Sequence, residues 1–236
     1  MEKIFNSYNY DFNVKLANFE KFVRRQSLTR FMARYEIFKM ISSIKGSVVE
    51  CGVHYGGGVM AWAKLSAILE PYAIYRKIIG FDTFSGFPQT SPKDKIKNGQ
   101  DNPKLVKGGL NPQINVYEEL TRCIKSFDKN RYLSDYPKIE LVKGDAAQTI
   151  PEYVKNNPHI VIALLYIDFD LYEPTKTALE HFVPRVPKSG VIVFDETNNA
   201  RWPGETVAMI EHFGNFNKIK LQKFPFDPKI TYCIIE

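Results

Sequence analysis

The sequence predicts an α/β domain in which helices cover both faces of a mostly parallel sheet. From residue 47 onward, short apolar runs alternate with helical patterns, an order typical of parallel strands joined by helical crossovers. The run at 160–168, IVIALLYID, is almost entirely apolar, as expected for a central strand buried on both faces. A length of 236 residues with 44% hydrophobic side chains suits one such domain.

Seven apolar runs predict the strands. The last two are joined by a turn at 225–229 that is too short for a parallel crossover, so they are expected to form an antiparallel hairpin. Five parallel strands followed by such a hairpin resemble the class I methyltransferase sheet, which has the strand order 3-2-1-4-5-7-6. The runs lie at 47–52, 77–82, 139–145, 160–168, 190–195, 218–224 and 230–236.

Residues 1–45 are predicted to form a helical segment packed on the core domain, which spans 46–236. Apolar residues recur at helical spacing over 27–44, with Ser27 or Thr29 available as the N-cap, and a weaker helix is expected around Phe19. The apolar stripe is explained by packing onto the domain or by a homodimer face.

Composition and motifs exclude several classes of protein. No stretch approaches the roughly 20 apolar residues of a membrane helix, and no secretory signal is apparent, so a cytoplasmic protein without membrane association is expected. Three widely spaced cysteines suggest neither disulfides nor a zinc cluster. The net charge of +6 is scattered and no nucleic-acid motif appears, which favours a solvated surface or an anionic small-molecule substrate over nucleic acid.

A glycine-rich turn follows the first strand, where the predicted order of strands reverses and ligands of such sheets bind. It lacks the dinucleotide fingerprint G-x-G-x-x-G, but its glycines allow a ligand to approach the backbone beside a helix N-terminus. Glu50 could face the ligand or orient the turn; the alternative is a buried acid under an ordinary turn. The candidate ligand-binding residues here are Glu50, Gly52, His54, Tyr55, Gly56, Gly57 and Gly58.

Two further acids end the second and third strands. Asp82 lies where an acid accepts the ribose hydroxyls of an adenosine, although an Asp that caps a turn is the alternative. Asp145, followed by Ala146, lies where an adenine amine would be bound, and a helix N-cap is the alternative for it.

Four carboxylates end the fourth and fifth strands: Asp168, Asp170, Asp195 and Glu196. Neighbouring strand ends would bring them together, where they repel unless they are protonated or bridged by a cation. Oxygen ligands suit Mg²⁺, Mn²⁺ or Ca²⁺. Alternatively, these acids cap helices and pair with Lys or Arg.

Four segments resemble the macrocin O-methyltransferase family, whose members methylate sugar hydroxyls: VVECGVHYGGG (48–58), GFDTFSGFP (80–88), LVKGDAAQTIP (141–151) and 164–196. The resemblance implies S-adenosylmethionine as the methyl donor, with Asp168 also near it. It further implies a Mg²⁺ ion held by Asp168, Asp195 and Glu196, and Asp170 as the general base.

Three positions depart from the family pattern. Glu196 stands where the family usually has Asp, Phe169 where a small residue is commoner, and Tyr55 where Arg often stands. The extra methylene of Glu196 changes the geometry that a metal would meet.

The long polar segment at 89–113 carries five lysines and is interpreted as a lid over an anionic acceptor, or else as a solvated loop. Its lysines are Lys93, Lys95, Lys97, Lys104 and Lys107.

The sequence therefore predicts metal-assisted methylation of a hydroxyl on a sugar or sugar-containing metabolite. Two alternatives stay open. One is a metal-dependent, hydroxylase-like relative of the same fold, and the other is a non-catalytic protein that binds S-adenosylmethionine or a nucleotide.

Overall fold

A seven-stranded sheet with the order β3-β2-β1-β4-β5-β7-β6 forms the centre of the computed structural model, which describes residues 2–95 and 102–236. β1 to β5 are parallel, and β7 runs antiparallel to both β5 and β6. The predicted fold and strand order are thus confirmed. The strands are β1 Ser47–Cys51, β2 Ile78–Asp82, β3 Ile139–Lys143, β4 Ile162–Ile167, β5 Val191–Phe194, β6 Gln222–Lys223 and β7 Thr231–Ile234.

Helices cover both faces of this sheet and bury two apolar clusters, one on each side. In the described residues, no helix combines the length and the apolar character needed to cross a membrane. The helices are α1 Glu2–Ser7, α2 Phe12–Ala17, α3 Arg25–Ile41, α4 Gly57–Leu69, α5 Val116–Lys129, α6 Ala146–Asn156, α7 Tyr172–Phe182 and α8 Pro203–Phe213.

The N-terminal helix α3 packs against α4 and β5, and its inward side chains are Ala33, Ile37, Phe38 and Ile41. It begins earlier than predicted, at Arg25, so Ser27 and Thr29 lie inside its first turns and the prediction that one of them caps it was wrong. Its N-cap, Arg24, makes no side-chain capping hydrogen bond. The start of a helix is predicted from Ser, Thr, Asp or Asn at the N-cap, and none of these residues stands there. The short helices α1 and α2 bury no residue.

The C-terminal hairpin is shorter than its apolar pattern predicted. β6 has two residues because the chain before it forms a 3₁₀ turn at Phe216–Lys218, begun by the Asn215 side chain, which accepts from the Asn217 N–H at 3.1 Å. The predicted antiparallel pairing is confirmed over Gln222 and Lys223.

β4 occupies the middle of the sheet, with all six of its residues buried, and it pairs with β1 on one side and β5 on the other. The Asp168 N–H donates to the Cys51 carbonyl at 2.8 Å, and the Asp195 N–H donates to the Ile167 carbonyl at 3.2 Å. The ends of β1, β4 and β5 therefore lie side by side, as a switch point between β1 and β4 requires.

Gly52 makes the closest approach across this junction. Its φ is +95°, and a Cβ built on it would overlap the carbonyl oxygen of Asp168. Both the backbone angle and the space therefore require glycine at this position.

Replacing Gly52 with Ala should lower the free energy of unfolding by about 3 kcal/mol or more, because neither backbone can yield without breaking the β1–β4 pairing. Gly57→Ala is the matched control, since a Cβ at Gly57 meets nothing within 4 Å and the residue opens α4. Urea unfolding of both variants measures the difference. Equal stability of the two would contradict this account of the junction.

Candidate functional site

A crevice of about 150 Å³, open to solvent, lies at the carboxyl ends of the parallel strands. Its walls are mainly apolar, with Phe84, Phe87 and Phe169 among them, as is common in small-molecule sites. The ends of β1, β2, β3 and β4 place in it several residues predicted to bind the methyl donor, and also Asp170, the predicted general base. These are Gly52, His54, Asp82, Asp145, Ala146, Asp168 and Asp170.

Asp82 ties the glycine turn to the end of β2. Its Oδ2 accepts from the backbone N–H groups of Val53 and His54, both at 2.8 Å, and its Oδ1 accepts from the Phe84 N–H at 2.7 Å. The turn-capping role foreseen as an alternative is therefore present. Each carboxylate oxygen can accept more than one hydrogen bond, so Asp82 keeps capacity towards the crevice that it lines.

Asp145 is the N-cap of α6, where its Oδ1 accepts from the Ala147 N–H at 3.0 Å. The capping alternative is present here too. Asp145 and Ala146 nevertheless line the crevice, and the second carboxylate oxygen of Asp145 has no partner among the described residues.

Glu50 lies beneath the glycine turn rather than in the crevice. A Cβ on Gly58 would overlap its carboxylate, so Gly58 leaves the space that the acid fills. Glu50 is fully buried and its Oε2 has no partner in the described chain. Burial raises the pKa of Glu50 to about 7, against the opposing positive charge of Arg34.

The remaining turn residues differ in exposure. Tyr55 is 57% exposed and packs edge-on against the His54 ring, with the ring centroids 4.3 Å apart. Gly56 has a φ of +82° and faces Leu120, while Gly57 faces open space. Tyr55, Gly56, Gly57 and Gly58 are not part of the crevice wall.

Asp168 and Asp170 carry carboxylates without a hydrogen-bond partner in residues 2–95 and 102–236. Burial, and then the charges of Asp195 and Asp170, raise the pKa of Asp168 well above its usual range. Burial, and then Glu196 and Asp195, raise the pKa of Asp170 to about 8. Two acids without a hydrogen-bond partner in the described chain thus face the crevice, in surroundings that favour their protonated forms.

Asp195 and Glu196 are instead held by basic and amide side chains. Arg30 of α3 forms an ion pair with Asp195, and Lys229 donates to Glu196 Oε1 at 2.7 Å and lies 3.9 Å from Asp195 Oδ2. Asn199 donates to the other oxygen of Glu196. The pairing with Lys and Arg that was foreseen as an alternative therefore occurs for two of the four acids.

A fifth acid, Glu205, lies behind this group. It is fully buried at the start of α8, its Oε1 accepts from the Glu196 N–H at 2.8 Å, and its Oε2 has no partner in the described chain. Burial raises the pKa of Glu205 well above its usual range. It holds the backbone at the end of β5. We name Asp168, Asp170, Asp195, Glu196 and Glu205 the acid cluster.

The acid cluster fits a hard divalent cation by donor type and by charge. The side-chain acceptors of its five acids are all carboxylate oxygens, the donor type that such a cation prefers, and two cations contact these acids, Arg30 and Lys229. The ion pairs of Asp195 and Glu196 occupy oxygens that such an ion would use. In the described part of the chain, no three acidic, His or Cys side chains already converge as a metal-binding group.

Strained backbone is concentrated at the crevice. Four residues that line it have a positive φ without being glycine: His54 at 51°, Phe84 at 55°, Leu110 at 58° and Asp170 at 61°. Such conformations are uncommon for residues with a Cβ and cluster at functional sites.

The segment interpreted as a lid packs against the site where it is described. Asp94 is buried and accepts from the Tyr172 N–H at 2.6 Å, Leu105 is buried, and Leu110 and Pro112 line the crevice. Lys93 contacts Glu211 of α8 at 2.6 Å. Residues 96–101, with Lys97, lie outside the described residues.

Sequence reasoning missed Arg30, Lys229 and Glu205. No local motif marks them: they become part of the site only when α3, the β6–β7 turn and α8 are placed beside β5.

The chain matches the sequence profile of the family described as macrocin-O-methyltransferase (TylF) over residues 23–232. It belongs to this family. The matched span includes the glycine turn, the acid cluster and both of its cations, Arg30 and Lys229.

Solved structures agree with the assignment to the macrocin-O-methyltransferase family. CalS11, a calicheamicin methyltransferase, is 30% identical, with a TM-score of 0.92 over 99% of this chain and 89% of that one. An apo structure of CalS11, described as a TDP-rhamnose 3′-O-methyltransferase, gives a TM-score of 0.83 at 30% identity, covering 99% and 90%. The O-methyltransferase NovP, at 20% identity and a TM-score of 0.66 over 87% and 79%, shares the fold.

A curated relative from Streptomyces olivaceus is 25% identical over 158 residues, or 66% of this chain. It is named 8-demethyl-8-(2,3-dimethoxy-alpha-L-rhamnosyl)-tetracenomycin-C 4′-O-methyltransferase. The matched region spans 55% of that relative's length.

Glu50→Gln should change how stability depends on pH. Because the pKa of Glu50 is raised from 4.5 to about 7 in the folded state, the unfolded chain releases this proton first, and stability falls as pH rises from about 4.5 to 7. The glutamine variant lacks this loss, so its stability relative to wild type should improve by about 3 kcal/mol between pH 4.5 and 8. Urea unfolding across that pH range measures it.

Glu119→Gln, an exposed position on α5, is the control and should give a curve parallel to that of wild type. A Glu50→Gln curve parallel to both would show that burial does not raise the pKa of Glu50.

Proposed function

We propose that this protein is an S-adenosylmethionine-dependent O-methyltransferase that acts on a hydroxyl of a sugar or a sugar-containing metabolite. One observation carries the proposal: a single crevice joins the glycine turn, Asp82 and Asp145 to the unpartnered carboxylate of Asp170. A methyl donor and a group able to accept a proton then meet at one place, which methylation of a hydroxyl requires.

The donor side of the crevice has the chemistry to bind an adenosine. Asp82 and Asp145 supply acceptors for ribose hydroxyls and for an adenine amine, and Phe169 adds an apolar surface to the same crevice. Gly52 lets a ligand approach the backbone at the end of β1. Glu50 supports the turn from below with its buried carboxylate.

In the proposed reaction, the acceptor oxygen attacks the methyl carbon as the carbon–sulfur bond breaks, and S-adenosylhomocysteine leaves. Asp170 takes the hydroxyl proton. Its carboxylate is suited to this role because it lines the crevice and because no described residue occupies it.

We also propose that Asp168, Asp195 and Glu196 hold a divalent cation, Mg²⁺ or else Mn²⁺ or Ca²⁺. The excess of acids over cations and the oxygen-only donor set support it. When bound, such an ion lowers the pKa of an acceptor hydroxyl and orients it. Asp195 Oδ1 already accepts from Arg30 and Tyr166, so Oδ2, with its longer Arg30 contact of 3.3 Å, is the atom that can reach the ion. Glu196 can take part only if it exchanges its contact with Asn199 or with Lys229, whose side chain is 51% exposed and able to move.

The proposed acceptor is a sugar because both the CalS11 and the S. olivaceus names specify sugar-linked methylation. The side chains of Lys104 and Lys229 lie near enough to Asp170 for their positive charges to lower its pKa. They therefore put positive charge at the acceptor side, which suits an anionic carrier such as a nucleoside diphosphate.

The alternatives predict different products from the same crevice. A hydroxylase-like relative would leave no methyl group on the acceptor, and a non-catalytic binding protein would hold the donor without turnover. Transfer of a radiolabelled methyl group from S-adenosylmethionine to a deoxythymidine-diphosphate sugar or a rhamnosylated aglycone separates the methyltransferase from both alternatives. A hydroxylated product then distinguishes the hydroxylase-like relative from a binding protein.

Asp170→Asn should lower kcat for methyl transfer by a factor of about 100 or more, because the amide cannot accept the proton. Calorimetric binding of S-adenosylhomocysteine should remain within about threefold of wild type, since the fold and the donor wall are unchanged. Asp135→Asn, an exposed position, is the control for substitution of an acid. A fully active Asp170→Asn variant would rule out Asp170 as the base.

Removing divalent cations with EDTA should lower kcat about tenfold or more, and Mg²⁺ or Mn²⁺ should restore it. Asp168→Asn should prevent this restoration, whereas Asp135→Asn should not. An EDTA-treated enzyme with the full rate would refute the metal part of the proposal and leave the methyl transfer part standing.

A further inference from the structure

Arg30 links the N-terminal helix α3 to the acid cluster. Its Nη1 donates to the Tyr166 hydroxyl at 2.8 Å and pairs with Asp195 Oδ1, and its Nη2 lies 3.3 Å from Asp195 Oδ2. Its Nε lies 3.8 Å from a carboxylate oxygen of Asp227 in the β6–β7 turn. One side chain therefore joins α3, β4, the end of β5 and the C-terminal hairpin.

We propose that Arg30 is a positioning residue of the methyl-transfer site, which fixes the Asp195 carboxylate beside Asp168 and Asp170. The inference rests on the function proposed above. It makes α3 part of the active site, whereas its sequence pattern indicated only packing or a dimer face.

The geometry of the contact favours positioning over simple charge balance. The planar guanidinium reaches both Asp195 oxygens at once, a fork that fixes the orientation of a carboxylate as well as its charge. The Tyr166 hydroxyl donates to Asp195 Oδ1 at 3.1 Å and accepts from Arg30, so the three groups form a closed set.

Burial makes this set hard to replace. The Asp195 side chain is 5% exposed and that of Arg30 is 22% exposed, so little water is present to stabilise the acid if its partner is lost. The guanidinium stays protonated in this setting, as arginine does in proteins generally.

Lys229 cannot take over this role from its own position. Its ammonium contacts Glu196 at 2.7 Å and approaches Asp195 only to 3.9 Å, from a half-exposed side chain. A single-point donor of this kind balances charge without fixing the plane of the Asp195 carboxylate.

The first test compares Arg30→Met, Arg30→Lys and the control Arg25→Met, which is exposed at the start of the same helix. Arg30→Met should lower kcat by about 10- to 100-fold, while the KM for S-adenosylmethionine stays within about threefold. Arg30→Lys should recover part of the rate, and Arg25→Met should match wild type. If Arg30→Met does not fold, Arg30→Lys carries the comparison, and a wild-type kcat for it would overturn the proposal.

A double-mutant cycle with Asp195→Asn separates positioning from a general loss of stability. If Arg30 acts through Asp195, the double variant should have a kcat within about threefold of Asp195→Asn alone. If the kcat losses of the two single variants multiply in the double variant, the residues act independently and the proposal is overturned. An Arg30→Met kcat equal to that of wild type would also overturn it.

A crystal structure of the Arg30→Met variant, or of Arg30→Lys, shows the position of the Asp195 carboxylate independently of any activity measurement. The Asp195 carboxylate should leave the place that it occupies beside Tyr166, and an unmoved carboxylate would overturn the proposal. A wild-type protein that transfers no methyl group would refute the proposed function instead, and the crystal structure would still decide whether Arg30 holds Asp195.

Discussion

The acid cluster is the constraint on which the rest of the site depends. Five carboxyl groups meet at the ends of β4 and β5 and the start of α8, and in the described chain Arg30 and Lys229 are the cations that contact them. Burial, and after it the charges of the neighbouring acids, disfavours ionisation, which is why the pKa values of Asp168, Asp170 and Glu205 are raised. Such a cluster lowers the stability of the fold, because buried like charges repel. It is useful at a site that binds a cation and transfers a proton.

The sheet connects this cluster to the donor side. β4 lies between β1 and β5, so Asp168 is held by backbone contacts to the glycine turn on one side and neighbours Asp195 on the other. Gly52 allows the close approach on the β1 side. One strand therefore joins the proposed donor side of the crevice to the acid cluster.

The fold and the acidic residues of the crevice wall could be predicted because they follow from local patterns, whereas the apolar part of the wall, with Phe84, Phe87 and Leu110, was not. Apolar runs mark the strands, and the strand order then brings residues such as Asp82, Asp168 and Asp170 to one edge. Asp82 and Asp145 each have a capping role as well, which a sequence allows as an alternative but cannot exclude.

The parts that could not be predicted depend on tertiary placement. Arg30 and Asp195 are 165 residues apart in the sequence. Their contact depends on how α3 is rotated about its axis, and an apolar pattern does not define that rotation precisely enough to predict which side chain reaches Asp195. The start of α3 was misplaced because its N-cap, Arg24, lacks a capping side chain. Lys229 reaches Glu196 only because the β6–β7 turn folds back over β5.

The most direct test of the account is a crystal structure with S-adenosylhomocysteine and Mn²⁺, with the metal located by anomalous scattering. The account predicts S-adenosylhomocysteine in the crevice between the glycine turn and Asp145, with the anomalous peak within bonding distance of the Asp168 carboxylate. S-adenosylhomocysteine bound away from that crevice would contradict the account. Mn²⁺ bound away from the acid cluster would contradict its metal site.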